Sequence, residues 1–209
     1  MKPLRVHRIK SECRVLGPGT RAVVWFQGCA LDCPGCIAAE MNRSREFRPM
    51  SPQDLADALI AMPDLEGITL SGGDPFDQPL DSLASFLEAI REQSSLGIIC
   101  YTGRTLDELL QHERSEQHQR ILSSIDLLID GRYVEEQNDG SLWRGSANQR
   151  LIPLTSRYAA WCGNSPPPAP RGLEIELSVD SQLTIAGIPR PGFMDNLRMR
   201  LAMAGHVLT

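Results

Sequence analysis

Between residues 23 and 129 the chain alternates short apolar runs with stretches whose apolar residues recur at helical spacing, and this alternation constrains its fold more than any other feature. Val23-Val24-Trp25-Phe26 reads as a buried strand entered from the turn Gly17-Pro18-Gly19. Ser51-Pro52-Gln53-Asp54 supplies an N-cap serine with proline at the first helical position, and Leu55, Leu59 and Met62 follow along one helical face. The pattern repeats with a strand over 67–70, a helix presenting Leu80, Leu83, Leu87 and Ile90, and a third strand over 97–101. Thr105-Leu106-Asp107-Glu108 is a capping box that opens a polar helix running toward Ile121, and 125–129 is a fourth apolar strand. Repeated strand, loop and helix units predict an α/β protein with a parallel sheet covered by helices.

The pattern breaks after residue 155. Ser165-Pro166-Pro167-Pro168-Ala169-Pro170 predicts a semi-rigid linker over 156–172, which separates a core of 1–155 from an extension of 173–209. In the extension, 173–179 and 182–186 can pair as a hairpin around Asp180-Ser181. A helix over 193–204 places Leu197 and Leu201 on one face.

The formal net charge of −5, with no lysine- or arginine-rich run, argues against a nucleic-acid partner. The opening MKPLRVHRIK lacks the apolar core of a signal peptide, and no apolar stretch reaches the roughly 18 residues needed to span a membrane. A soluble, cytoplasmic protein with no membrane partner is expected. In that setting six cysteines read as metal ligands or free thiols rather than as a disulfide framework.

Three of the six, Cys29, Cys33 and Cys36, lie within eight residues where the first predicted strand ends. Three soft thiolates on one loop suit iron or zinc far better than magnesium or calcium. Structural zinc takes four ligands, and no histidine or fourth cysteine stands near this loop. A cubane iron–sulfur cluster held by three thiolates leaves one iron open to another ligand. On spacing alone, a zinc knuckle completed from afar and three metal-free thiols both stay open. Ser71-Gly72-Gly73-Asp74-Pro75 follows the second predicted strand, at the carboxyl end of the sheet where parallel α/β folds bind ligands. Paired glycines let the backbone approach a ligand, and Asp74 could assist an ammonium group, although the same residues also make an ordinary turn.

Taken in order, Gly17-Pro18-Gly19-Thr20-Arg21, Gly28-Cys29-x-x-x-Cys33-Pro34-Gly35-Cys36, Leu70-Ser71-Gly72-Gly73-Asp74-Pro75, Tyr101-Thr102-Gly103, Asp130-Gly131 and Arg144-Gly145-Ser146-Ala147-Asn148-Gln149-Arg150 form a series of landmarks. Over roughly residues 13 to 155 the chain resembles the activating proteins of anaerobic ribonucleotide reductases, members of the radical S-adenosylmethionine superfamily. The resemblance implies a partial, open (β/α) barrel, since a full eight-unit barrel needs roughly 250 residues. It further implies that Cys29, Cys33 and Cys36 ligate a 4Fe–4S cluster whose fourth iron is chelated by the methionyl group of S-adenosylmethionine. Gly35, Cys36 and Ile37 would contact the adenosine portion, with Ile37 standing where family members often carry an aromatic residue. Gly72, Gly73 and Asp74 would receive the methionyl ammonium.

The implied activity is reductive cleavage of S-adenosylmethionine to methionine and a 5′-deoxyadenosyl radical. That radical would abstract hydrogen from a backbone glycine of a large partner, an anaerobic ribonucleotide reductase or a related glycyl radical enzyme. The electron would come from an external donor such as flavodoxin or ferredoxin, and no general base is required, because the cofactor carries the hard chemistry.

Other residues divide between site and scaffold. Thr102 and Asp130 fall at strand ends and could reach the cofactor or cap turns. Arg144, Asn148 and Arg150 can serve to hold the last strand. Cys13, Cys100 and Cys162 are scattered, as are His7, His112, His118 and His206, and Trp25 and Phe26 read as core. The extension beyond Arg157 allows a peptide or small-molecule substrate within the same superfamily. A non-enzymatic iron–sulfur or zinc module is the alternative of another class. Anaerobic reconstitution separates these: an enzyme of this kind takes up iron and releases 5′-deoxyadenosine from S-adenosylmethionine, whereas zinc without iron would exclude the cluster.

Overall fold

The computed structural model of the chain describes residues 1–43, 46–163, 167, 172–177 and 183–206. Its centre is a seven-stranded mixed sheet in the order β3-β1-β2-β4-β5-β6-β7. The strands are β1 (Leu4–Cys13), β2 (Arg21–Phe26), β3 (Arg48–Met50), β4 (Gly67–Gly72), β5 (Gly97–Tyr101), β6 (Leu127–Asp130) and β7 (Arg150–Pro153). β2, β4, β5 and β6 run parallel, while β1, β3 and β7 join antiparallel. The order is linear, with β3 and β7 at its two edges, so the sheet is open and forms no closed barrel.

Alternation along the parallel strands creates two faces. Val24, Phe26, Ile68, Leu70, Ile98, Cys100 and Leu128 point outward into the main core. That face is covered by α2 (Pro52–Ile60), α3 (Leu80–Gln93) and, beyond them, α4 (Leu106–Gln111) and α5 (Ser115–Ser123); a short α1 (Glu40–Arg43) follows the cysteine loop. Ser51 caps α2 by accepting from the Asp54 N–H at 3.1 Å, and Thr105 with Glu108 forms the capping box of α4. The polar helix expected to run unbroken toward Ile121 is interrupted at His112, whose backbone is extended. The interruption lets buried His118 of α5 place Nδ1 2.8 Å from the Leu109 carbonyl, which the end of α4 leaves without a helical partner.

β1 and β3 have no clear counterpart in the sequence pattern. β1 carries irregularities between Val6 and Arg8 and between Lys10 and Cys13, and each bulge shifts the alternation that would have marked a strand. The inward face of the parallel strands is covered by residues before β2 and after β6. Val23 and Trp25 pack with Cys13, Leu16 and Ala186, and Ile99, Leu127 and Ile129 pack with Trp143 and Tyr158.

The segment expected as a linker from 156 begins instead with a 3-10 helix, Ser156–Cys162, whose Tyr158 is buried against the sheet. The reason is Arg21, a fully buried arginine that forms no salt bridge among the described residues. Its donors reach Thr69 Oγ1, the carbonyls of Pro18, Ile68 and Gly97, and the Tyr158 hydroxyl at 2.8 Å. A buried cation demands such complete hydrogen bonding, and Tyr158 supplies part of it. Further on, β8 (Leu173–Leu177) and β9 (Leu183–Gly187) form the expected hairpin, and α6 (Phe193–Met203) the terminal helix. The Asp180-Ser181 turn lies outside the described residues. The hairpin docks on β1 through Lys10, whose Nζ lies 2.8 Å from Glu176 and 3.7 Å from Glu174. No helix among the described residues is long and apolar enough to cross a membrane.

Asp126, just before β6, ties three elements together. It accepts from the Ile98 N–H at 2.8 Å, Arg91 Nη2 at 2.6 Å and the Thr155 hydroxyl at 2.7 Å. Burial alone would raise its carboxyl, but these donors pull it below the ordinary carboxylate value. A depressed folded-state value stabilises the fold above the unfolded pKa of about 3.9 and ceases to do so as pH falls through the folded value. Urea unfolding of Asp126→Asn is therefore expected to show a loss of about 2 kcal/mol at neutral pH, shrinking as pH falls below the unfolded value and through the lower folded one. A loss independent of pH would contradict this role.

Candidate cluster and cofactor site

The parallel strands end together, and three loops meet above them: 27–39 after β2, 73–79 after β4 and 102–105 after β5. Two glycine contacts set their spacing. A Cβ on Gly73 would lie 2.2 Å from the Gly28 carbonyl oxygen, and one on Gly72, whose φ is +93°, would lie 2.7 Å from the Phe26 nitrogen. Only residues without side chains allow so close an approach. Hydrogen bonds seal it, from the Gly73 N–H to the Phe26 carbonyl at 2.8 Å and from the Asp74 N–H to the Gly28 carbonyl at 3.1 Å. The Gly-Gly-Asp turn is thus laid against the residue that precedes Cys29.

Cys29, Cys33 and Cys36 are all free and partly exposed. The loop that carries them turns through Asp32 and Gly35, both at positive φ, and closes locally with the Cys36 N–H donating to the Cys33 carbonyl at 3.2 Å. Burial raises the thiols of Cys29 and Cys36 above their ordinary value, and the Cys36 thiol is raised further by the nearby Cys33 and Cys29. Among the described residues no three histidine, cysteine, aspartate or glutamate side chains already converge on one metal-sized point. As a donor set, three free thiols spaced over residues 29–36 of one loop suit the soft iron of an iron–sulfur cluster.

The remaining expected site residues fall into two groups. Gly35 and Ile37 stand on the cysteine loop; Ile37 is 47% exposed, a large apolar side chain left open to solvent beside the thiols. A Cβ on Gly35 would meet the Glu135 carboxylate at 2.6 Å, so the loop after β6 reaches back to the cysteines. Asp74 and Thr102 are buried and engage each other. The Thr102 hydroxyl donates to Asp74 at 2.9 Å, while the Phe76 and Gly103 N–H groups also donate to that carboxylate. Burial raises the Asp74 carboxyl, and Arg104 opposes the rise. Asp130 is fully buried, with one oxygen accepting from the Leu106 N–H at 2.7 Å and from Arg150 Nη2 at 2.6 Å and the other from Arg150 Nε at 3.0 Å. Its role here is to hold the start of α4 and strand β7.

Residues 144–150 are scaffold for the loop that bears Glu135. Asn148 donates to the Arg132 carbonyl and Gln149 to the Gly131 carbonyl, each at 2.8 Å, and Arg144 donates to the Gln149 carbonyl at 3.2 Å. Asp77, Arg104 and Glu135 were not identifiable as site residues from the sequence. Asp77 stands three residues past the Gly-Gly-Asp turn, but nothing in the spacing announces that its carboxylate reaches Ala30 or Arg104.

Residues 15–152 match the family model described as a 4Fe-4S single cluster domain, which takes in all three loops and the three thiols. Curated relatives named anaerobic ribonucleoside-triphosphate reductase-activating protein also match this chain. The relative from Salmonella typhi is 33% identical over 156 residues, covering 70% of this chain and 96% of its own length. That from Haemophilus influenzae is 38% identical, covering 64% and 87%, and that from Enterobacteria phage T4 is 31% identical, covering 66% and 86%. The chain belongs to the family of anaerobic ribonucleoside-triphosphate reductase-activating proteins, within the single-cluster iron–sulfur class.

The loop junction makes a graded expectation. Gly73→Ala forces backbone against backbone and should separate the Gly-Gly-Asp turn from the cysteine loop, at a cost of about 2 kcal/mol or more in denaturant unfolding. Gly103→Ala clashes closely with Cδ1 of Leu31 alone, the end of a flexible side chain, its other neighbours lying at 3.7 Å or more, and should cost less than half as much. Equal losses would show that the Gly73 contact carries no special constraint.

Proposed function

We propose that this chain binds S-adenosylmethionine at a 4Fe–4S cluster held by Cys29, Cys33 and Cys36 and installs a glycyl radical on an anaerobic ribonucleotide reductase. The observation that carries the reading is the junction of the Gly28-Cys29 turn with the Gly72-Gly73-Asp74 turn, within a chain of the activating-protein family. Cys29, Cys33 and Cys36 would hold the cluster, which would supply the one-electron reduction that splits the cofactor's carbon–sulfur bond and releases methionine.

The chain's own residues bind and orient. Gly72 and Gly73, lacking side chains, expose backbone groups to the methionyl ammonium, and Asp74 with Thr102 fixes the turn that presents them. Gly35, Cys36 and the exposed Ile37 line the adenosine side, where an apolar side chain can cover a base and exclude water. Asp130 acts at one remove, by holding Arg150 and the start of α4. On this reading the open sheet is a partial (β/α) barrel, and a reductant such as flavodoxin or ferredoxin delivers the electron in the cytoplasm. The core comprises 1–155, and 173–209 is an added unit.

A second reading has one observation in its favour. The matched region ends at residue 152, and the Salmonella typhi relative is covered over 96% of its length while this chain is covered over 70%. The added residues could serve a different target, a peptide or a small molecule. Electron paramagnetic resonance distinguishes the two. Reduced protein incubated with S-adenosylmethionine and an anaerobic ribonucleotide reductase is expected to give a glycyl radical doublet, lost in Cys33→Ala. Cofactor cleavage with no doublet would favour the second target, and no cleavage would contradict both.

A further inference from the structure

The three cysteines are not held alike. Cys29 lies between two residues that are tied to the sheet. Gly28 gives its carbonyl to the Asp74 N–H at 3.1 Å, and the Ala30 N–H donates to Asp77 Oδ2 at 2.6 Å. The second oxygen of Asp77 accepts from Arg104 Nη2 at 2.7 Å, and Arg104 Nη1 lies 3.1 Å from Asp74 Oδ2. One guanidinium therefore bridges two carboxylates, and each carboxylate's own residue grips one neighbour of Cys29. The Asp74 side chain is 1% exposed, and those of Arg104 and Asp77 are 23% and 18% exposed, so solvent screens these pairs only in part. Around Cys33 and Cys36 the backbone hydrogen bonds run within the loop itself, from the Cys36 N–H to Cys33 and from the Ala39 N–H to Cys36.

We propose that Asp77 and Arg104 are positioning residues for Cys29, fixing the first thiol at the carboxyl end of the parallel strands so that the 31–37 segment closes onto an already placed ligand when the cluster assembles. The proposal deepens the cluster assignment above and rests on it. Its physical basis is preorganisation: a ligand whose two flanking peptides are already ordered loses less conformational entropy on binding metal. Arginine suits the bridge because its planar fork reaches two carboxylates at once, which a lysine ammonium on a flexible stem does not reproduce. Leu31, whose Cδ1 would lie 2.3 Å from a Cβ on Gly103, gives the moving segment a resting place on the β5 loop. Three loops thus share one clamp, with the thiol nearest the sheet as its fixed point.

The test compares full-length wild type with Asp77→Ala, Asp77→Asn and Arg104→Gln. In metal-free, reduced protein the alkylation rate of each cysteine by iodoacetamide is followed by peptide mass. Losing the charge-assisted bonds is expected to speed alkylation of Cys29 about tenfold in Asp77→Ala and Arg104→Gln, with Cys33 and Cys36 changing less than about twofold. Asp77→Asn keeps an acceptor for the Ala30 N–H and should fall between wild type and Asp77→Ala, a partial rescue that general loosening does not give. After anaerobic reconstitution with iron and sulfide, Asp77→Ala should also lose iron to a chelator about tenfold faster than wild type. Unchanged Cys29 rates, or equal acceleration of all three thiols, would overturn the proposal. Failure of the wild type to take up iron would instead refute the cluster assignment, while the alkylation ratios would still decide whether Asp77 and Arg104 clamp Cys29.

Discussion

The close approach of Gly73 to Gly28 is the constraint on which the rest of the site depends. Two backbones meet where a single methyl group would lie 2.2 Å from a carbonyl oxygen, and the Asp74 N–H bonds to that same oxygen. The contact is possible because β2 and β4 are parallel neighbours in register, with Phe26 opposite Gly72, so their exits start side by side. Everything the site needs follows from this adjacency: a thiol loop on one strand end, a bare turn on the next, and a third loop whose Thr102 and Arg104 engage the carboxylate of the second. The meeting of these loops at the strand carboxyl ends, where parallel α/β sheets commonly bind ligands, is here a consequence of backbone packing between two glycine turns.

Much of this was legible in the sequence because it is local. The strand and helix alternation, the Ser51 and Thr105 caps and the thiol spacing are set by residues within a few positions of one another, and the structure contains the corresponding elements. What escaped was written over long separations or disguised by irregularity. The bulges in β1 break its alternation, and the break before α5 depends on His118 reaching back to the Leu109 carbonyl. The links of Asp77 to Ala30 and of Arg104 to Asp77 span 47 and 27 positions, and no spacing rule anticipates them. Asp74, Thr102 and Asp130 were recognisable as strand-end polar residues. That their side chains bind one another, or Arg150, rather than open space became visible only in three dimensions.

The later third of the chain illustrates how one buried charge can recruit a distant segment. Arg21 sits at the opposite end of β2 from the cysteines, and with no salt bridge among the described residues it requires neutral acceptors from several elements. Tyr158 completes that set, so what composition marks as the start of a linker becomes part of the core. From there β8 and β9 are drawn to β1 by Lys10, and Ala186 seals the inward face over Val23 and Trp25. The residues beyond the matched region, which ends at 152, thus add Tyr158 and Ala186 to a face already packed by Leu16 and Trp143.

In the proposed function, the three loop thiols hold a cluster with one iron left open for the cofactor, beside the Gly72-Gly73 turn. Mössbauer spectroscopy of protein reconstituted with isotopically labelled iron, recorded with and without S-adenosylmethionine, tests this directly. One iron of the cluster should change its isomer shift on cofactor addition while the others keep theirs, as three cysteine-ligated sites and one exchangeable site require. A spectrum that does not respond to the cofactor, or iron bound as isolated mononuclear sites, would contradict the account.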